Sequence, residues 1–76
     1  MKTTGQVIRG ERCAVGMSAQ ELASKVGVHA QTVYNWEHDR ALPSLDKAVK
    51  VSMVLGINPM RLLEGGAANV RATSDA

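Results

Sequence analysis

Phenylalanine is missing from this 76-residue chain, Trp36 and Tyr34 are its only aromatic residues, and Cys13 is its only cysteine. Without phenylalanine, a core has to be assembled from Leu, Val, Ile, Ala and Met, which suits helices packed on helices. A single cysteine excludes an internal disulfide and offers no metal-ligand spacing; it fits a reducing cytoplasm and is expected to be a small core-facing residue. No run approaches the roughly 18 apolar residues of a membrane span and no leader-like segment stands before the first helix, so a soluble, cytoplasmic protein with no membrane partner is expected. His29 and His38, one thiol and scattered carboxylates make no nucleophile-base pair and no metal set. There is also no glycine-rich phosphate loop, so neither an enzyme nor a cofactor is expected.

What is present begins with length and charge. Seventy-six residues allow one domain, whose modest buried fraction makes stability marginal unless close helical packing or dimerisation helps. A net charge of +2 and a pI near 9.0 permit nucleic-acid binding without demanding it.

The stretch from Met17 to Glu37 organises the rest and reads as two short helices joined by one tight turn. Ser18 is placed to cap the first, Glu21 closes a capping box, and Met17 and Leu22 can pack as a staple. Leu22, Ala23 and Val26 share one face, and Gly27 stops the helix. In the second helix Val28, Val33 and Trp36 form the apolar side. Ala30, Gln31, Tyr34 and Asn35 are left on the other, with no formal charge from Ala30 to Trp36. Charged residues are the common way to solvate a helix, whereas Gln and Asn carry the paired donor and acceptor that match adenine N6 and N7 in the major groove.

Leu22, Ala23, Val26, Gly27, Val28, Val33, Trp36 and Glu37 together resemble the helix-turn-helix of the phage repressor and Cro family, also called XRE-like regulators. The likeness extends through Ile8 and Arg12 upstream, Pro43, Ser44 and Leu45 downstream, and the Leu55-Gly56-Ile57 and Leu62-Leu63 ending. The resemblance implies an all-α, five-helix lambda-repressor-like domain over residues 1–64; residues 65–76, small and polar with no apolar period, read as a flexible tail or linker. It also implies that Arg12 pairs with Glu37, tying the first helix to the motif. In this family the second helix of the motif reads bases. Carried over, Ala30, Gln31 and Asn35 are base-reading candidates. Tyr34 stands beside them, either contacting a methyl group or phosphate or lying as a partly packed surface ring. His29, Arg40, Arg9 and Lys47 are the phosphate candidates.

Three departures from the family pattern stand out. His29 replaces the usual Ser or Thr cap, His38-Asp39 replaces Asn-Gly, and Ala19 stands where a phosphate-contacting Gln is common, with Gln20 one residue late.

Around the motif, a first helix is expected over about Gly5 to Val15, capped by Thr3 or Thr4, with Val7, Ile8 and Cys13 or Ala14 inward. Ser44 should cap a fourth helix running to Leu55, with Leu45, Ala48, Val49, Ser52 and Met53 on its inner side. Asn58 and Pro59 should start a short fifth helix. The implied function is sequence-specific binding of double-stranded DNA by a homodimer on a pseudo-palindromic operator, acting as a transcriptional regulator and most simply a repressor. Met60 and Arg61 are candidates for the dimer contact, with Met60 alternatively in the core. The rival reading is a protein-interaction module, such as an antitoxin or anti-regulator that mainly holds a toxin or other protein partner.

Overall fold

The structure, a computed structural model, describes residues 2–65, with side chains as far as Leu62; of the tail expected over 65–76, Gly65 ends the last helix and the rest lies outside the described residues. Five helices follow one another: α1 Thr4–Ala14, α2 Ala19–Val26, α3 Ala30–Glu37, α4 Leu45–Leu55 and α5 Pro59–Gly65. This is the all-α, five-helix order that the resemblance implies, and no strand occurs among the described residues.

Most of the helix starts carry their own chemistry. Thr3, not Thr4, caps α1, accepting from the Gln6 amide at 3.1 Å while Gln6 Oε1 accepts from the Thr3 amide at 2.9 Å. Gln6 thus completes a capping box that satisfies two otherwise orphaned donors. Thr4 lies one step inside the helix, buried, and its hydroxyl donates to the Leu62 carbonyl at 2.9 Å, fastening α1 to α5. Asn58 Oδ1 accepts from the Met60 amide at 2.9 Å, with Pro59 as first helical residue, where its missing amide hydrogen costs nothing.

The core gathers Val7 and Ile8 of α1, Leu22, Ala23 and Val26 of α2, Val33 and Trp36 of α3, Ala48, Val51 and Leu55 of α4, and Leu62 of α5. α1 packs on α3 and α5, while α2 packs on α3 and α4. One side of α3 is therefore held against two helices and the other is left to solvent.

Two expectations about facing are corrected. Cys13 and Ala14 are exposed, because the inward stripe of α1 continues from Ile8 to Arg12, whose guanidinium is engaged with Glu37. α4 is rotated from the expected phase: Val51 and Leu55 join Ala48 and Ser52 inside, whereas Leu45 (70% exposed), Met53 (74%) and Val49 (37%) face outward. Ser52 can be buried because its hydroxyl donates to the Val49 carbonyl at 2.7 Å, which removes most of the cost of desolvating it.

Candidate nucleic-acid interface

The motif is built from two helices whose ends are made differently. At the start of α2, the Ser18 hydroxyl accepts from the Glu21 amide at 3.0 Å and Glu21 Oε1 accepts from the Ser18 amide at 3.0 Å. The Ser18 amide first, and the Ser18 hydroxyl after it, hold the Glu21 carboxyl below its ordinary pKa. At the end of α2, Gly27 takes φ of 88°, and the amides of Gly27 and Val28 both donate to the Ala23 carbonyl, at 2.8 and 2.9 Å. A side chain at Gly27 would be strained in that conformation, so the sharp turn into α3 depends on glycine.

α3 begins at His29 with extended backbone and no side-chain cap. Its inner face is closed by Val33, fully buried, and Trp36, so position and pitch are set by packing more than by end chemistry. Its far end is fixed by ions. The Arg12 guanidinium forks onto the Glu37 carboxylate, Nε to Oε2 at 2.6 Å and Nη2 to Oε1 at 3.0 Å, and Nη1 donates to the Met17 carbonyl at 2.7 Å. One arginine of α1 thereby grips the entry to α2 and the exit of α3. The Glu37 side chain is 4% exposed, and its hydrogen bond raises the Arg12 pKa further above its ordinary value against the opposing effect of desolvation. The guanidinium stays charged at any pH the fold meets.

Beyond Glu37, Asp39 adopts φ of 58°, a left-handed conformation that Asp tolerates better than most residues with a Cβ. Its carboxylate has a use that local sequence does not announce: Oδ2 accepts from the Thr3 hydroxyl at 2.8 Å and Oδ1 from the Gly5 amide at 3.2 Å. Asp39 thus places negative charge on the N-terminus of α1, where the helix dipole favours it. The approach is close: a Cβ on Gly5 would overlap the Trp36 carbonyl oxygen and crowd the Glu37 carbonyl and Asp39.

On the solvent face, Ala30, Gln31 and Tyr34 are exposed and Asn35 is half-buried. Gln31 Nε2 donates to Asn35 Oδ1 at 3.1 Å, joining the two amides across one helical turn. Tyr34 stacks on His38, with ring centroids 4.0 Å apart and planes tilted by 31°, and the Arg40 guanidinium lies 5.4 Å from the Tyr34 ring centroid. His38 Nδ1 also lies 2.9 Å from the Tyr34 carbonyl oxygen. The tyrosine is therefore the middle of a small exposed cluster rather than a free ring. His38, which the sequence reading marked only as a departure in the loop, belongs to it; the i, i+4 spacing from Tyr34 was the available signal.

The remaining candidates are more scattered. His29 is exposed at the head of α3, Arg9 is exposed on α1, and Lys47 is half-buried in the first turn of α4. Arg9 and Lys47 form no ion pair among the described residues. Met60 is exposed, which removes it from the core, and Arg61 pairs with Glu11 of α1. No group of three or more potential metal ligands exists among the described residues, and no described helix is long and apolar enough to cross a membrane.

The helix-turn-helix family model matches residues 8–62. This chain belongs to the helix-turn-helix family of phage-repressor and Cro type.

Individual relatives of this helix-turn-helix domain agree. A Methanocaldococcus jannaschii protein, provisionally named an HTH-type transcriptional regulatory protein, is 35% identical over 57 residues, covering 75% of this chain and 18% of that protein. The chain therefore spans less than a fifth of that relative's length. The P22 c2 repressor, solved in complex with a synthetic operator, superposes with a TM-score of 0.81 at 26% identity, over 86% of this chain and 98% of the repressor chain. SinR of Bacillus subtilis, the master regulator for biofilm formation, solved with DNA, gives a TM-score of 0.75 at 35% identity, over 80% of this chain and 98% of the SinR chain. SinR has also been solved in complex with the SinI protein; that match, at 35% identity and a TM-score of 0.74, covers 80% of this chain and 60% of that one.

Proposed function

We propose that this domain binds double-stranded DNA sequence-specifically as a homodimer and acts as a transcriptional repressor. The observation that carries the reading is the two-sided construction of α3: a buried aliphatic and tryptophan face beneath an uncharged, solvent-facing surface of Ala30, Gln31, Tyr34 and Asn35. That surface is costly to explain as mere solvation and fits the hydrogen-bonding edges of bases in a major groove. Ala30 offers a methyl group to a thymine methyl, and Gln31 and Asn35 offer amides. The head of α3, which no side chain caps, can take a phosphate oxygen beside His29, because a helix N-terminus favours negative charge. Arg40, with Arg9 and Lys47 on neighbouring helices, supplies positive charge for the backbone.

A single domain of this size buries too little DNA for strong selectivity, so two copies on half-sites about one helical turn apart are expected, meeting through α4 and α5 near Met60 and Arg61. The P22 c2 repressor and SinR, both solved on DNA, support the reading by likeness. Selection from a randomised duplex library at near-physiological salt, over several protein concentrations, tests it. A two-fold symmetric site should be enriched by the native chain and lost with Gln31→Ala; no enrichment at any concentration would overturn it.

A second reading, a domain that chiefly holds a protein partner, has one observation in its favour: the outward apolar stripe of Leu45, Val49 and Met53 on α4. Under that reading Val49→Lys would abolish partner capture, while Gln31→Ala would leave it intact.

A further inference from the structure

Gln31 and Asn35 are usually counted as two separate readers when a recognition surface is drawn residue by residue. Here they are joined. Gln31 Nε2 donates to Asn35 Oδ1 at 3.1 Å, and Asn35 is half-buried. The consequences follow from the amide inventory. Gln31 has spent one of two amino hydrogens and keeps the other, next to a free Oε1. That is the donor-acceptor pair adenine requires, Nε2–H to N7 and N6–H to Oε1. Asn35 has turned its oxygen back along the helix toward Gln31, which leaves Nδ2, a donor only, pointing away from it.

We propose that the two amides act as one composite reader, in which Asn35 orients Gln31 for adenine and itself reads a base edge that presents acceptors. Guanine, through O6 and N7, or thymine, through O4, fits such an edge. Cytosine is rejected because its N4 amino group would face a second donor. Four residues along a helix advance about 6 Å against about 3.4 Å per base pair, so the two positions read are neighbours or one pair apart. The internal hydrogen bond also fixes the long Gln31 side chain before DNA arrives, which lowers the ordering cost of binding. The inference rests on the DNA-binding reading above and adds that specificity at the adenine depends on Asn35.

Library selection with the full chain, followed by competition titrations on the enriched site and its single-base variants, tests the coupling. The native chain is compared with Gln31→Ala, Asn35→Ala and Asn35→Asp, each first shown to melt like the native chain. The expected result is that Asn35→Ala lowers discrimination at both positions, with the preference for adenine, on the order of tenfold or more in the native chain, falling toward unity. Asn35→Asp, whose carboxylate can still accept from Gln31, should keep the adenine preference and turn the second position toward cytosine. Asn35→Ala relaxing its own position while the adenine preference stays native would overturn the composite reader and leave DNA binding standing. Enrichment of no site by the native chain would overturn DNA binding and the proposal with it.

Discussion

The two helices of the motif are of equal length, eight residues each, and are secured in opposite ways. α2 is secured locally, by a reciprocal capping box at one end and a left-handed glycine at the other. α3 has no side-chain cap and no acidic residue in its first turn, and it is held by Val33, Trp36 and the Arg12–Glu37 pair, all of which reach to other parts of the chain. The difference teaches where a surface helix can leave its ends and outer face unoptimised. When tertiary contacts fix it, its exposed residues and N-terminal amides are released for a ligand.

Breaking the long-range restraint should do the most damage. Arg12→Ala strands the buried Glu37 carboxylate and is expected to cost about 3–5 kcal/mol in urea unfolding, whereas the Arg12→Ala, Glu37→Ala double variant should cost clearly less than the sum of the singles. Gly5→Ala attacks the same restraint from the α1 side. Its Cβ has no room beside the Trp36 carbonyl, so a loss of about 1–3 kcal/mol or more is expected. Removing the local security of α2 should cost less: Ser18→Ala, about 1 kcal/mol, read as a lower melting temperature. Supplying α3 with the cap it lacks sharpens the contrast, and His29→Ser should stabilise the fold by up to about 1 kcal/mol in the same unfolding experiment.

The smallest effect is one of pH. Because the Glu21 carboxyl titrates lower in the folded state than unfolded, its contribution is complete above the unfolded value of about 4.3 and is lost as pH falls through the lower folded value. Glu21→Gln should flatten that part of the stability-pH curve. An unchanged slope would mean that the bond from the Ser18 amide to the Glu21 carboxylate is energetically silent.

Local signals carried much of this fold into the sequence. Ser18 with Glu21, Gly27, Ser44 and Asn58-Pro59 name helix ends from residues three or four apart, and the structure has those ends. The amide face of α3 was likewise readable, because its inner partners Val33 and Trp36 fix the phase. α4 was not readable in the same way. Leu45, Ala48, Val49, Val51, Met53, Val54 and Leu55 surround it with apolar side chains, so periodicity admits more than one buried stripe, and packing against α2 and α5 chose the one containing Val51 and Leu55. Asp39 was read only as a backbone problem. Its bonds to Thr3 and Gly5 span 36 and 34 positions, and a polar contact of that range leaves no periodic trace.

Those bonds have a practical side. The hydroxyl of Thr3 and the exit of α3 are one mechanical joint, so a purification handle or fluorescent protein fused immediately ahead of Thr3 pulls on the end of the helix that presents Tyr34 and Asn35. Cargo attached at the front of the chain therefore needs a spacer. Ignoring this would let a tagging artefact pass for a weak binder.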